Sequence, residues 1–600
     1  MTLLPTPTIN SNLDLRLATF ETLSEGLDYA ARGETGCNFF SGRGQLEAVL
    51  PYAELRERSV EVALRLTGMG LPRGSRVGLI ATTSADFMIF FYACQYAGLI
   101  PVPLPISTNL GGRSAYVERL RAMLSAADVS LAVAEADMID VLREAAEGLA
   151  IRMVGTPGDF RDLPESRGDL RPLGKEDPAY IQYSSGSTSM PRGVMITQRG
   201  VTSNVLGIAR HGLALESGDR CASWLPLYHD MGLVGFSITP MMGQFSADYL
   251  PTSAFTKRPL LWLQIISDHG ATISFAPTMG YDLCVRRAAK AQGGTYDLSR
   301  WRVAGVGAEM IRADVLEQFA MQFASFGFDQ RAYLPSYGLA ESTLAVSFAP
   351  LGRGLKTDRI DRRACEVLHQ ALPVAKLGNG SAKRARTVVV CGRPLPDHSV
   401  EIRDNGGRVL PDREIGSIHV KGPSLMEGYF QDEGATQSAV TEDGWLDTGD
   451  LGYLADGELV VTGRQKDLII SNGRNIWPHD LEWALEKLPD LRTGGVAAFC
   501  VEDDIKGERV VIVAECRLTD EDARQTLVRD MQGASRLVAG VDPEVMLVPT
   551  RSLTFTSSGK LSRAAVKASY LGDRLEPLSL SRPAAPLVTL EPLRSATDSG

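Results

Sequence analysis

Residues 87–106 contain no charged side chain, a run of 20 residues. That length suffices for a helix to cross a lipid bilayer, so the run decides between a membrane span and a buried core element. Its second half reads Pro101-Val102-Pro103-Leu104-Pro105. Prolines at that density do not continue a helix, because each lacks an N–H and clashes with the preceding turn. The run therefore splits into a buried helix from Ala85 to Ala97, capped by Ser84, and an extended segment from Leu99 to Pro103. No membrane span is expected. Residues 1–12 lack a basic stretch followed by an apolar one, so no signal peptide is expected. Eight cysteines without CxxC spacing fit a reducing, cytoplasmic setting and suggest no metal cluster.

A chain of 600 residues exceeds one hydrophobic core and implies several folded units. The first 200 residues alternate helical patterns (52–69, 115–126) with short β-branched runs (76–80, 129–133), which favours a parallel α/β sheet. Short strands at 387–390, 399–402 and 416–420, divided by Gly, Pro and Asp turns, form a β-rich subdomain over about 387–466. An α+β unit follows over 467–575, with strands at 496–501 and 510–516 and a helix at 520–531. Residues 576–600 hold four prolines and no apolar periodicity and read as a flexible tail. The net charge of −10, from 62 basic and 72 acidic side chains, argues against a duplex nucleic-acid binder.

The strand Ala179 to Tyr183 runs into Ser184-Ser185-Gly186-Ser187-Thr188-Ser189 and then Met190-Pro191-Arg192. Small hydroxylated residues and Gly let backbone N–H groups turn inward around phosphate oxygens, and Arg192 supplies positive charge. A surface Ser/Gly turn is the competing reading. The Walker A spacing is absent.

The loop resembles the phosphate loop of the adenylate-forming superfamily, which includes acyl-CoA synthetases, adenylation domains and luciferases. Further segments match in the family's order. Leu225-Pro226-Leu227-Tyr228-His229-Asp230 resembles the acyl-gate motif and Tyr337-Gly338-Leu339-Ala340-Glu341 the adenine and Mg²⁺ motif. Trp445 to Asp450 resembles the ribose motif, Gly463 to Asp467 the hinge, and Thr556 to Lys560 the catalytic-lysine motif. Ser189 and Arg192 depart from the usual Gly and Lys, and Thr554-Phe555 from the usual Pro-Lys/Arg.

The resemblance implies a large N-terminal domain over 1–466, of mixed α/β subdomains plus the β-rich one, with a small mobile α+β C-terminal domain. It implies ATP and Mg²⁺ as cofactors and adenylation of a carboxylate with release of pyrophosphate. Two anions must meet in that step, so catalysis rests on positioning and charge neutralisation. Lys560 then bridges carboxylate and α-phosphate, His229 gates the reacting carboxylate, and Glu341 with Thr188 holds Mg²⁺. Ser184, Ser185, Gly186, Ser187, Thr188 and Arg192 bind phosphates. Tyr337 and Gly338 lie on one face of adenine, Gly307, Ala308 and Glu309 on the other. Asp450 and Arg464 hold the ribose, and Asp467 is the hinge. Met231, Phe236, Ile238, Phe275 and Met279 are candidates for an apolar acyl pocket, or plain core.

Within the superfamily, the wording around 185–194, 225–232, 276–284 and 391–396 is similar to fatty acyl-AMP ligases. These pass a medium- or long-chain acyl group to an acyl carrier protein or a polyketide/nonribosomal synthase. Residues 351–386 fall where such ligases carry an insertion. A fatty acyl-CoA synthetase is the closest alternative. An amino-acid-activating domain is disfavoured, because the pocket segments 236–241 and 274–279 lack an Asp for the amino group. A catalytically silent binding module is the remaining alternative, and a monomer or weak dimer is expected.

Overall fold

The computed structural model describes residues 13–106, 112–166, 168–184, 191–288, 295–374, 385–471, 473–503, 507–556 and 559–581. The chain divides into two compact units: Met1–Lys466 with Phe555–Lys560, and Asp467–Thr554 with Leu561–Gly600.

The charge-free run resolves into a helix and a strand. Helix Ala85–Ala97 begins where the Ser84 hydroxyl accepts from the Phe87 N–H at 3.3 Å, the usual way to satisfy an orphan donor. It stops at Gly98, whose φ of 72° is left-handed, so glycine and not the proline run ends it. Nearly all its side chains from Phe87 onward are buried. The prolines instead sit in strand Ile100–Leu104, which pairs in parallel with Arg76–Ile80 at the edge of a four-stranded parallel sheet. An edge position tolerates residues without an N–H. Strands Val129–Val133 and Met153–Gly155 complete that sheet. Among the described residues no helix is long and apolar enough to cross a membrane.

That sheet is parallel throughout, whereas the other sheets of the first 200 residues are mixed or antiparallel. Strands Gly36–Phe40 and Leu46–Pro51 form an antiparallel hairpin on the edge of a nine-stranded sheet, and Pro178–Tyr183 pairs antiparallel with Gly193–Thr197. The nine-stranded sheet places Arg220–Ser223, Ile273–Ala276, Val303–Val306 and Tyr333–Gly338 side by side in parallel. These parallel strands are joined through helices such as Thr278–Ala288 and Ala313–Phe323, and local patterning carries no information about strand partners so distant in sequence.

The β-rich region is a four-stranded antiparallel sheet of Ser399–Arg403, Gly416–Lys421, Leu446–Ala455 and Glu458–Arg464. The strand expected at 387–390 lies elsewhere. Ala385–Val389 pairs antiparallel with Thr357–Asp361, inside the segment read as an insertion. That segment is fastened by charge. Glu458 takes Arg353 at 2.5 Å and also Lys356, while Asp358 accepts from Arg413 at 2.9 Å and from the Tyr453 hydroxyl at 3.0 Å. Residues 375–384 of it lie outside the described residues.

In the second unit, Val496–Asp503, Gly507–Glu515 and Glu544–Val548 form a sheet against Pro478–Leu485 and Glu521–Ala539. The latter helix runs eight residues beyond the expected end at 531, up to the left-handed Gly540. Ser579–Ser581, expected in a flexible tail, pairs as an edge strand with Glu544–Val548. Three residues with one apolar side chain are too few to show a period.

Gly338 ends the strand that carries Tyr337. A Cβ there would lie 1.8 Å from the Leu344 carbonyl oxygen, closer than any contact allows. Gly338→Ala is expected to lower the thermal unfolding midpoint by several degrees; an unchanged midpoint would contradict this packing.

Candidate active site

The parallel strands Val303–Val306 and Tyr333–Gly338 carry the first group of residues. Gly307 follows the first strand so closely against its neighbour that a Cβ would sit 2.9 Å from the Ser336 carbonyl oxygen. Ala308 then takes a positive φ of 68°, a conformation uncommon for a residue with a Cβ and typical of sites where geometry outranks comfort. The Tyr337 hydroxyl donates to Asp450 Oδ2 at 2.7 Å. Asp450 is itself fixed by its turn, because the Thr448 hydroxyl accepts from the Asp450 N–H at 3.2 Å. Its strand neighbour in register is Arg464, whose Nε lies 3.3 Å from Asp450 Oδ1. Tyr337, Asp450 and Arg464 thus converge from three strands.

Glu341 sits in a single 3₁₀ turn, Ala340–Ser342, held by a Met426 N–H donating to the Glu341 carbonyl at 2.8 Å. Its Oε1 accepts from the Tyr429 hydroxyl at 2.9 Å. Burial pushes the Glu341 carboxyl above the ordinary range, with Tyr429 acting against the shift. The Arg192 guanidinium lies 5.2 Å over the Tyr429 ring, a cation–π distance, and 3.9 Å from Asp432. Tyr429 therefore links two residues that the sequence assigned to phosphate and metal. It escaped the reading because strand Gly428–Tyr429 is two residues long and carries no motif.

The Ser184 N–H donates to the Arg192 carbonyl at 2.9 Å, closing the base of the Ser/Gly loop. Ser185, Gly186, Ser187 and Thr188 lie outside the described residues.

Lys560 ends a short loop tied on itself: the Thr556 N–H donates to the Lys560 carbonyl at 2.7 Å, and the Lys560 N–H to the Thr556 hydroxyl at 3.2 Å. Loss of water around its amine and the charge of Arg464 lower its pKa from the ordinary value, opposed by Asp230, Glu309 and Asp450. Those carboxylates are already engaged. Asp230 Oδ1 contacts His229 Nδ1 at 2.7 Å and accepts from the Met231 N–H at 2.7 Å. Burial raises the Asp230 carboxyl, but His229 and Lys560 outweigh it and hold it below the ordinary range. The Glu309 Oε1 accepts from the Met279 N–H at 2.9 Å, at the start of helix Thr278–Ala288. His229 Nε2, by contrast, is buried and has no hydrogen-bond partner among the described residues. Asp230 was read only as part of a motif; its adjacency to His229 was the available signal.

The apolar candidates Met231, Phe236, Ile238 and Phe275 are buried and Met279 is partly so. Phe236 and Phe275 meet edge to face at 6.0 Å, and Phe275 lies so close to Gly305 that a Cβ there would be 2.1 Å from its ring. Asp467 is bound by Arg563 at 2.7 Å, and Arg563 also reaches Glu482 at 2.7 Å. Among the described residues no group of three or more His, Cys, Asp or Glu is arranged to hold a metal. A lone buried carboxylate such as Glu341 suits Mg²⁺, which takes one or two protein oxygens and completes its shell with phosphates and water.

Residues 46–430 match the family model for AMP-binding enzymes. A Caulobacter vibrioides protein provisionally named an acyl-CoA synthetase is 46% identical, over 95% of this chain and 98% of its own. The medium-chain-fatty-acid–[acyl-carrier-protein] ligase JamA of Moorena producens is 32% identical, over 93% of this chain and 96% of its own. A solved structure from the fatty acyl-adenylate ligases of E. coli and L. pneumophila superposes with a TM-score of 0.88 at 42% identity, covering 94% of this chain and 100% of its own.

Burial also raises the Glu309 carboxyl above its ordinary value of 4.5. A raised folded-state pKa contributes stability that is complete below the unfolded value and lost as pH rises through the folded one. Glu309→Gln keeps an acceptor for Met279 and removes the charge. Its thermal midpoint relative to the unsubstituted protein is expected to be higher at pH 8 than at pH 4.5; an equal difference at both would contradict the shift.

Proposed function

The chain belongs to the AMP-binding enzyme family and activates a fatty acid as its adenylate, and on that premise we propose that it then passes the acyl group to the phosphopantetheine thiol of an acyl carrier protein or a polyketide/nonribosomal synthase. In the first step a carboxylate oxygen attacks the α-phosphorus of ATP and pyrophosphate leaves. In the second, the thiol attacks the acyl carbonyl and AMP leaves.

The observation that carries the site assignment is the convergence of Tyr337, Asp450 and Arg464 from three strands, with Lys560 within electrostatic reach of Asp230, Glu309, Asp450 and Arg464. In this reading Lys560 neutralises the meeting of carboxylate and α-phosphate, an electrostatic role suited to a preorganised site. His229 faces the reacting carboxylate with Nε2, its other nitrogen committed to Asp230. Asp450 accepts from the ribose hydroxyls and Arg464 donates to the same sugar. Tyr337 and Gly338 cover one face of adenine, Gly307, Ala308 and Glu309 the other. Ser184 to Thr188 and Arg192 bind the phosphates. Glu341 and Thr188 would hold Mg²⁺, which when bound supplies positive charge to the phosphate oxygens. Met231, Phe236, Ile238, Phe275 and Met279 take the medium or long acyl chain. Asp467 serves as hinge, a reading supported by the division of the two units between Lys466 and Asp467.

JamA, named for transfer to a carrier protein, and the paired strand Thr357–Asp361 within the segment 351–386 support the acceptor. The provisional name of the Caulobacter relative favours CoA as a second reading. The purified protein, given ATP, Mg²⁺, a C8–C16 acid and either CoA or a holo-acyl carrier protein, is expected to acylate the carrier protein at least tenfold faster, followed by mass spectrometry. Acyl-CoA as the faster product would overturn the proposed acceptor while leaving adenylation intact.

A further inference from the structure

The segment 351–386 differs in charge from the rest of the chain. It holds nine basic and three acidic side chains, a net +6, whereas the whole chain carries −10 and the remainder therefore −16. Part of that positive charge is spent on anchoring: Arg353 and Lys356 both bind Glu458, and the buried Arg386 donates to the Thr462 carbonyl at 2.8 Å. Arg359 and Arg363 are not used this way. Both are exposed, and neither makes an ion pair among the described residues. Beyond Arg363 the chain forms a single π-turn, Ala364–Leu368, that buries Ala364, Cys365 and Glu366 and turns Val367 and Leu368 outward at 43% and 59% exposure. Two adjacent exposed aliphatic side chains preceded by unpaired arginines have the composition of an interface: a small apolar centre with a charged rim.

We propose that this turn, with Arg359, Arg363, Val367 and Leu368, is the docking surface for the protein that accepts the acyl group, and that the acceptor presents an acidic face to it. The proposal rests on the acceptor reading above and specifies the partner's chemistry. Charge complementarity favours an acidic partner, because this segment is net basic whereas the rest of the chain carries −16. A five-residue turn is too short to lie in a lipid interface as an amphipathic helix does. A protein acceptor that must deliver a thiol repeatedly also gains from electrostatic steering, which raises the rate of encounter more than the strength of the complex.

The test separates docking from chemistry. Arg359→Glu/Arg363→Glu and Val367→Ser/Leu368→Ser leave the proposed nucleotide and acyl residues untouched, so ATP–pyrophosphate exchange is expected to match the unsubstituted enzyme and reports that the fold is intact. With an acidic holo-acyl carrier protein as acceptor, the charge-reversed variant is expected to show at least a tenfold higher KM. With free pantetheine, which has no protein surface, transfer is expected to be unchanged. The unsubstituted enzyme's KM for the carrier protein is expected to rise between ~50 mM and ~300 mM salt, a dependence the variant loses. Transfer to the carrier protein with an unchanged KM in both variants overturns this proposal alone. Transfer to CoA and not to the carrier protein overturns the acceptor reading and this proposal together. Loss of cosedimentation with anionic phospholipid vesicles in the variants, with carrier-protein KM unchanged, assigns the surface to lipid instead and likewise overturns it.

Discussion

In the proposed mechanism the remainder of the site manages the attraction between the Lys560 ammonium and the carboxylates of Asp230, Glu309 and Asp450. Lys560 feels Asp230, Glu309 and Asp450, and its own pKa is held down by loss of water and by Arg464. Charges gathered away from water are costly unless each has partners. Here each carboxylate already has a donor of its own: His229 and the Met231 N–H for Asp230, the Met279 N–H for Glu309, the Tyr337 hydroxyl and Arg464 for Asp450. The donors fix where the carboxylates sit. In the proposed mechanism Lys560 is thereby steadied without being neutralised by a single partner, and keeps its charge for the anions that react.

That arrangement explains several features of the fold. Asp230, Glu309 and Asp450 come from separate elements: the short helix Asp230–Leu233, the segment after strand Val303–Val306, and the strand Leu446–Ala455. Glu309 follows backbone placed where side chains do not fit or rarely go, at Gly307 and at Ala308 with its positive φ. Small errors at such places move charges by distances that matter for catalysis.

What the sequence revealed follows the range of the forces involved. The helix Ala85–Ala97 was legible to the residue because its start is a local event, a Ser hydroxyl on a nearby N–H. Its end was assigned to the wrong cause, since Gly98 stops it before the prolines begin. The prolines were readable as non-helical but not as an edge strand, which depends on Arg76–Ile80 alongside. Ordered motifs carried the adenylation reading. The Tyr429 link between Glu341 and Arg192, and the engagement of Asp230 with His229 and of Glu309 with Met279, are contacts of side chains with partners that only folding supplies. The pairing of Thr357–Asp361 with Ala385–Val389 escaped notice because the first strand lies in a charged stretch without apolar alternation.

The central claim is that Lys560 supplies charge to the adenylation step and is not a structural residue. ATP–pyrophosphate exchange by Lys560→Ala with a saturating C12 acid, beside its thermal midpoint, tests it most directly. The mechanism predicts exchange reduced by about 10² or more with a midpoint close to that of the unsubstituted protein. Near-normal exchange, or a loss of exchange that merely tracks a collapsed midpoint, would contradict it.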